Sequence, residues 1–169
     1  VHGVKLPEVG EKSWPYTNWF SYDLIARRHG LTMWSEPYWR MLRKYAELMA
    51  HGRQNTFLTP LEVIFRSSEK GVVLDAGRLR RIVKLFTDVG MHWIEGGHWA
   101  GRTGNEWLAK TFDLSIGTPK PLASSPEGAK VMATAGRQLM AEIEKQGWRR
   151  RWLQHVADEP IGANATDYR

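Results

Sequence analysis

Three helices with explicit start and stop signals, each separated from the next by a short apolar run, constrain this chain more than any other feature. The first helix has Ser35 as N-cap and Pro37 in its first turn. Its apolar positions are Tyr38, Met41, Leu42, Tyr45, Leu48 and Met49, and Gly52 is its stop. The second begins at Asp75 as N-cap, carries Leu79, Ile82, Val83 and Phe86 as its stripe, and stops at Gly90. The third opens with Ser125, Pro126 and Glu127. It buries Val131, Met132, Ala135, Leu139, Met140 and Ile143, and ends at Gly147. Residues 22–29 read as one further short helix closed by Gly30.

The runs between these helices read as strands: residues 17–21, 55–58, 91–95 and 152–156. The last is taken as a buried strand ended by Pro160. The order is thus β-α-β-α-β-α-β, which implies a parallel sheet with right-handed crossovers. Two segments stand outside this rhythm. Residues 61–65 and 72–74 flank a polar stretch, 67–71, and predict a β-hairpin inserted between a strand and a helix. Residues 102–124 show no clean periodicity, and a long excursion of that kind is usually functional or mobile.

An open doubly wound sheet and part of a barrel both fit the alternation. No Gly-rich phosphate loop follows the first strand, which argues against a nucleotide-binding open sheet. The expected fold class is therefore α/β, a partial (β/α)8 TIM-type barrel of about four βα units in a single domain. A full barrel takes about 250 residues, and this chain has 169. It starts at Val1 and stops shortly after the last strand, so it reads as a fragment of a larger catalytic domain.

Composition removes several function classes. There is no cysteine, so disulfides, thiolate nucleophiles and Cys-ligated zinc are excluded. With no His-x-x-x-His spacing either, neither metal nor other cofactor is expected. No run of about eighteen apolar residues exists to span a membrane as a helix. The net charge of +6 is spread along the chain, and its one tight cluster, Arg149 to Arg151, sits where a helix C-terminus favours cations. No nucleic-acid motif accompanies it, so no nucleic-acid partner is expected. Nine tryptophans are the unusual count. Their flat faces suit clefts for sugars, bases or peptides, and suit core packing equally.

In parallel α/β folds chemistry gathers at the carboxyl ends of the strands. That rim would collect Trp19 and Tyr22, then Gln54 and Asn55, then Gly97, His98 and Trp99, and finally His155 with Asp158 and Glu159. Aromatic, amide, imidazole and carboxylate groups in one cleft suit a polyhydroxylated ligand. Asp158 and Glu159 are the candidate catalytic pair. Adjacent residues on a regular strand face opposite ways, so the two can share a site only where the strand breaks, as at Pro160. Two carboxyls held close push their pKa values apart, which favours one acid and one anion. His155 reads equally as a hydrogen-bonded core residue, Trp19 and Trp99 equally as packing, and Glu95 as either an ion-pair partner or a further site carboxylate.

With these residues in place the chain resembles glycoside hydrolase family 123 and its wider relatives with a DUF4091 catalytic barrel. The resemblance is carried by Asn18-Trp19-Phe20, by residues 34–39 (WSEPYW), by Arg53-Gln54-Asn55-Thr56 and above all by His155-Val156-Ala157-Asp158-Glu159-Pro160. It runs over most of the chain and corresponds to the first half of the family's barrel; residues 102–124 match nothing in it. The resemblance implies exo-cleavage of β-linked N-acetylgalactosamine by a substrate-assisted retaining mechanism. Glu159 would then be the general acid/base, and Asp158 would orient the 2-acetamido group and stabilise the oxazolinium ion. Trp19, Tyr22, Asn55, His98, Trp99 and His155 would bind the sugar. A half barrel would expose sheet edges and an apolar face, so its expected protein partner is the missing half or a second copy. The alternative is a carbohydrate-binding or interaction domain of similar shape without chemistry.

Overall fold

The computed structural model describes residues 3, 8–68 and 71–168. The helical signals are realised as read. Ser21 caps α1 (Tyr22–Arg28) and Ser35 caps α2 (Glu36–His51), each accepting a hydrogen bond from a backbone N–H of the first turn. After α2 come β1 (Thr56–Thr59), a single helical turn α3 (Leu61–Ile64), and the strands β2 (Phe65–Ser68) and β3 (Gly71–Leu74). Asp75 accepts from the Arg78 N–H at 3.0 Å and so caps α4 (Ala76–Thr87). Then follow β4 (Trp93–Gly96), β5 (Ala100–Arg102) and β6 (Phe112–Leu114). Ser125 caps α5 (Pro126–Lys145), and β7 (Trp152–Gln154) and a last turn α6 (Ala165–Tyr168) complete the order.

β1, β4 and β7 form a three-stranded parallel sheet in the order β1-β4-β7. A hairpin is present, β2 paired antiparallel with β3 and Phe65 opposite Leu74, but its first arm is shifted. Residues 61–64, expected as strand, form the turn α3, and Ser67 and Ser68, expected in the polar tip, belong to β2; residues 69 and 70 lie outside the described residues. The aperiodic stretch is partly ordered as a ribbon, with β5 antiparallel to β6 and Ala100 opposite Leu114.

Two of the expected strands are corrected. Residues 17–21 are not a strand, so the parallel sheet has three strands and not four. The physical reason is that the segment meets the start of β1 at one backbone point and not along a ladder. The Tyr16 carbonyl accepts from both the Asn55 and the Thr56 N–H, at 3.2 and 3.1 Å, and side-chain amides add two more bonds. The Tyr16 N–H donates to Asn55 Oδ1 at 2.7 Å, and the Asn18 carbonyl accepts from Gln54 Nε2 at 3.4 Å. The second correction concerns β7, which is not buried. Leu153 and, just beyond the strand, Val156 are 45% and 54% exposed. Its place at the end of the strand order gives it one hydrogen-bonded neighbour, where a buried strand needs cover on both sides.

The chain divides into two compact units. The first comprises the described residues of Val1–Leu58 and Arg80–Ile94. Its core is aromatic. Phe57 stacks on Phe86 at 4.7 Å, Phe20 lies 5.8 Å from Phe86, and Tyr38, Leu42 and Ala46 of α2 are fully buried. That i, i+4 stripe leaves Leu48, an expected core position, 68% exposed. Each of the large side chains buried here contributes about 1.5–3 kcal/mol.

The second unit comprises the described residues of Thr59–Leu79 and Glu95–Arg169. Here α5 covers the hairpin. Gln138 Oε1 accepts from the Leu74 N–H and its Nε2 donates to the Val72 carbonyl, both at 2.9 Å, so one helix side chain closes the free edge of β3.

Candidate active site

The second unit holds the groups with chemical potential, on the loops that leave β4 and β7. β4 ends at Gly96 and β7 at Gln154, and the two following segments run side by side. The His155 N–H donates to the Gly96 carbonyl at 3.2 Å and the Ala100 N–H to the Val156 carbonyl at 3.1 Å. Gln154 Nε2 also donates to the Gly97 carbonyl at 2.6 Å. Gly96 makes room for the β7 side chains, and Gly97 for the backbone that follows β1. A Cβ on Gly97 would lie 2.6 Å from Pro60 Cα, and one on Gly96 would lie 2.3 Å from Gln154 Oε1.

The close approach brings imidazoles and carboxylates together. His155 Nε2 is 2.7 Å from Glu95 Oε1, and the Glu95 side chain is only 6% exposed. The His98 ring lies 4.8 Å from the His155 ring, centroid to centroid. Burial, and then the neighbouring His155, hold the His98 imidazole below the ordinary histidine value; the carboxylates of Asp158, Glu95 and Glu62 oppose this only in part. Glu95, left open between two roles by the sequence, is thus the buried partner of His155.

Asp158 and Glu159 follow three residues further on, both exposed and both outside regular strand. The break that sequence alternation required is present. β7 has already ended, and Glu159 has φ of +41°, a left-handed conformation uncommon for a residue with a side chain. The Glu159 carbonyl is held by Arg102, whose Nη2 donates to it at 2.6 Å, while the Arg102 guanidinium lies 4.2 Å over the Trp107 ring. The sequence reading passed over both Arg102 and Glu62. Neither carries a local signal, and only the fold brings the aperiodic stretch against the acid turn and places the Glu62 charge within reach of His98.

His98, His155 and Asp158 therefore share one neighbourhood, with Glu159 next in the chain. Trp99 is half-buried, and its carbonyl accepts from the Ser115 N–H at 2.8 Å. The other three expected sugar-binding residues belong to the first unit. Trp19 is 51% exposed. The Tyr22 hydroxyl is buried and donates to the Leu58 carbonyl at 2.9 Å, and burial pushes its pKa far up. Asn55 is fully buried, with its amide spent on the chain. Its oxygen accepts from the Tyr16 N–H, and its nitrogen donates to the Gly10 and Ser13 carbonyls and to the Ser13 hydroxyl. Among the described residues no group of three His, Asp or Glu side chains is placed to hold a metal ion.

No family model matches this chain, and no curated protein matches it in sequence. Among solved structures it is similar to a family 123 glycoside hydrolase from Clostridium perfringens, determined in work on glycolipid glycan hydrolysis, with a TM-score of 0.61 at 11% identity. The match covers 86% of this chain and 29% of that one, so the chain spans less than a third of the enzyme it matches, and the likeness is one of fold.

Proposed function

We propose that this chain is part of a glycoside hydrolase that cleaves β-linked N-acetylhexosamine, of the N-acetylgalactosamine type, by a substrate-assisted retaining route. The observation that carries the reading is the Asp158–Glu159 pair. It lies beyond the end of a parallel strand, beside a half-buried imidazole, in a chain whose fold resembles a family 123 enzyme. In this reading the three parallel strands are part of a (β/α)8 barrel, and the open edge of β7 is where its next strand pairs.

The chemistry follows from the residue types. The 2-acetamido oxygen of the substrate attacks its own anomeric carbon, and the glycosidic oxygen leaves with the proton of Glu159. Asp158 accepts the acetamido N–H and faces the positive oxazolinium that forms. Water, deprotonated by Glu159, then opens the ring at the anomeric carbon and restores the β configuration. Because the nucleophile belongs to the substrate, two adjacent carboxyls need not straddle the sugar. The left-handed turn at Glu159, pinned by Arg102, supplies the break in alternation that lets neighbouring side chains serve one ligand. Trp99 is the proposed stacking face, and His98 and His155 the hydrogen-bonding groups.

The test is hydrolysis of an aryl β-N-acetylgalactosaminide by the protein. Glu159→Gln is expected to lower kcat by about 10²–10⁴-fold, the usual worth of a general acid. Added azide should not restore that activity with inversion, as it would if an enzyme nucleophile had been lost. Unaltered turnover in Glu159→Gln removes the residue from the role.

A further inference from the structure

Two stretches that interrupt the β/α rhythm meet in the second unit. The β2–β3 hairpin and the loop after β6 touch through their hydroxyls, Ser67 Oγ to Thr118 Oγ1 at 2.9 Å. They enclose a cavity of about 400 Å³, within the usual range for small-ligand sites. Phe65, Val72 and Ile116 form its apolar part, each buried. Ser67, Ser115 and Thr118 contribute the polar part. An apolar surface ringed by hydroxyls suits a sugar ring, which lays its C–H face on the first and bonds its hydroxyls to the second.

The charges lining the cavity narrow the ligand further. Glu62 lines it, and the same carboxylate acts on His98, which ties the cavity to the neighbourhood of the acid turn. The cations are Arg66, 3.5 Å from Asp75, and Lys120, which is exposed and has no ion pair among the described residues. With Arg66 and Lys120 against the single carboxylate of Glu62, the lining carries an excess of one positive charge, which favours a ligand that brings an anion on the Lys120 side.

The structure assigns this cavity, we infer, as a subsite for an acidic sugar unit, bearing a carboxylate or a sulfate ester, on the leaving side of the N-acetylhexosamine. This rests on the glycosidase reading for its substrate, and on the cavity alone for its preference. Neither the hairpin nor the loop is required by a parallel β/α sheet, and the two line this cavity together.

Calorimetric titration of the protein tests it with three disaccharides. Each has a β-linked N-acetylgalactosamine, joined to glucose, to glucuronate or to a sulfated glucose. The acidic pair is expected to bind about three- to tenfold more tightly than the neutral one at low salt, the worth of one exposed charge-assisted contact. That margin should shrink as salt rises. Lys120→Gln with Arg66→Gln is expected to abolish the preference and keep the neutral affinity. Lys120→Gln alone, at an exposed position, is expected to halve the margin at least, should the double change disturb Asp75. The glucuronate and sulfate arms decide which anion is taken. Equal binding of acidic and neutral sugars, a preference that survives the double change, or no binding of any of the three overturns the proposal. Titration needs no turnover, so a protein that fails to hydrolyse but keeps the acid preference loses the glycosidase reading only. One that hydrolyses without the preference loses the subsite only.

Discussion

The buried polar network around β1 in the first unit and the loops after β4 and β7 in the second treat their polar groups in opposite ways. In the first, buried polar atoms hold the chain in place. Asn55 ties residues 10, 13 and 16 to the start of β1, the Tyr22 hydroxyl caps the Leu58 carbonyl, and the Tyr38 hydroxyl donates to the Tyr22 carbonyl at 3.1 Å. In the second, the buried Glu95 faces an imidazole, a second imidazole lies beside the first, and two carboxylates stand exposed on the same loop. Neutral amides and phenols in closed networks stabilise and specify a core. Ionisable groups held near one another respond to pH and to ligands. The contrast separates residues that build the scaffold from residues that can do chemistry, and it moves Tyr22 and Asn55 to the scaffold side.

Substitutions can break this contrast. The largest effect on stability should come from Asn55→Ala, which strips partners from backbone groups at residues 10, 13 and 16. A loss of about 3–5 kcal/mol is expected, read as a fall in the denaturant midpoint at unchanged slope. His155→Asn, on a half-exposed ring, should cost much less; if the two costs are equal, the contrast between the units fails.

A second prediction sharpens the chemical side. His98 has a folded pKa below its unfolded value, so its neutral form is favoured by folding. The sign is that of a depressed group: its contribution is full above pH about 6.5 and is lost as pH falls through that value toward the folded pKa. The ring resonances of His98 should therefore titrate below the ordinary histidine midpoint. Asp158→Asn should lower that midpoint further and His155→Asn should raise it, because the first removes an attraction to the imidazolium and the second a repulsion. A His98 midpoint indifferent to both changes would separate the acid turn from the imidazoles.

The smallest effect should be the same in both units. Ser35→Ala and Ser125→Ala each remove a cap that accepts one N–H of the first helical turn. Each should cost about 1 kcal/mol. A markedly larger loss at one of the two would show that its helix bears more of the folding cooperativity.

Most of the fold was legible because its signals are local. A serine before a helix offers its oxygen to the first turn whatever surrounds it, and α2, α4 and α5 all start at the residues that sequence spacing indicated. The inserted hairpin was legible only in its second arm; the apolar run at 61–64 winds into a helical turn, and the polar Ser67 and Ser68 pair as strand instead. Residues 17–21 misled because extended, apolar-polar composition signals a strand without naming its partner. Here the contacts with residues 54–56 are one shared backbone acceptor, the Tyr16 carbonyl, and two side-chain amides, which is too little for a ladder. β7 misled because exposure depends on strand order, and no local pattern says which strand ends a sheet.

The sequence by itself determined the helices, their caps, the parallel β/α character and the acid pair beyond the last strand, since each depends on neighbours a few residues away. Only the tertiary structure decided that Glu95 meets His155, that Arg102 holds the Glu159 turn and that Tyr22 and Asn55 are scaffold. Those pairings join residues 36 to 60 positions apart, and chain separation carries no information about contact until the backbone has closed the distance.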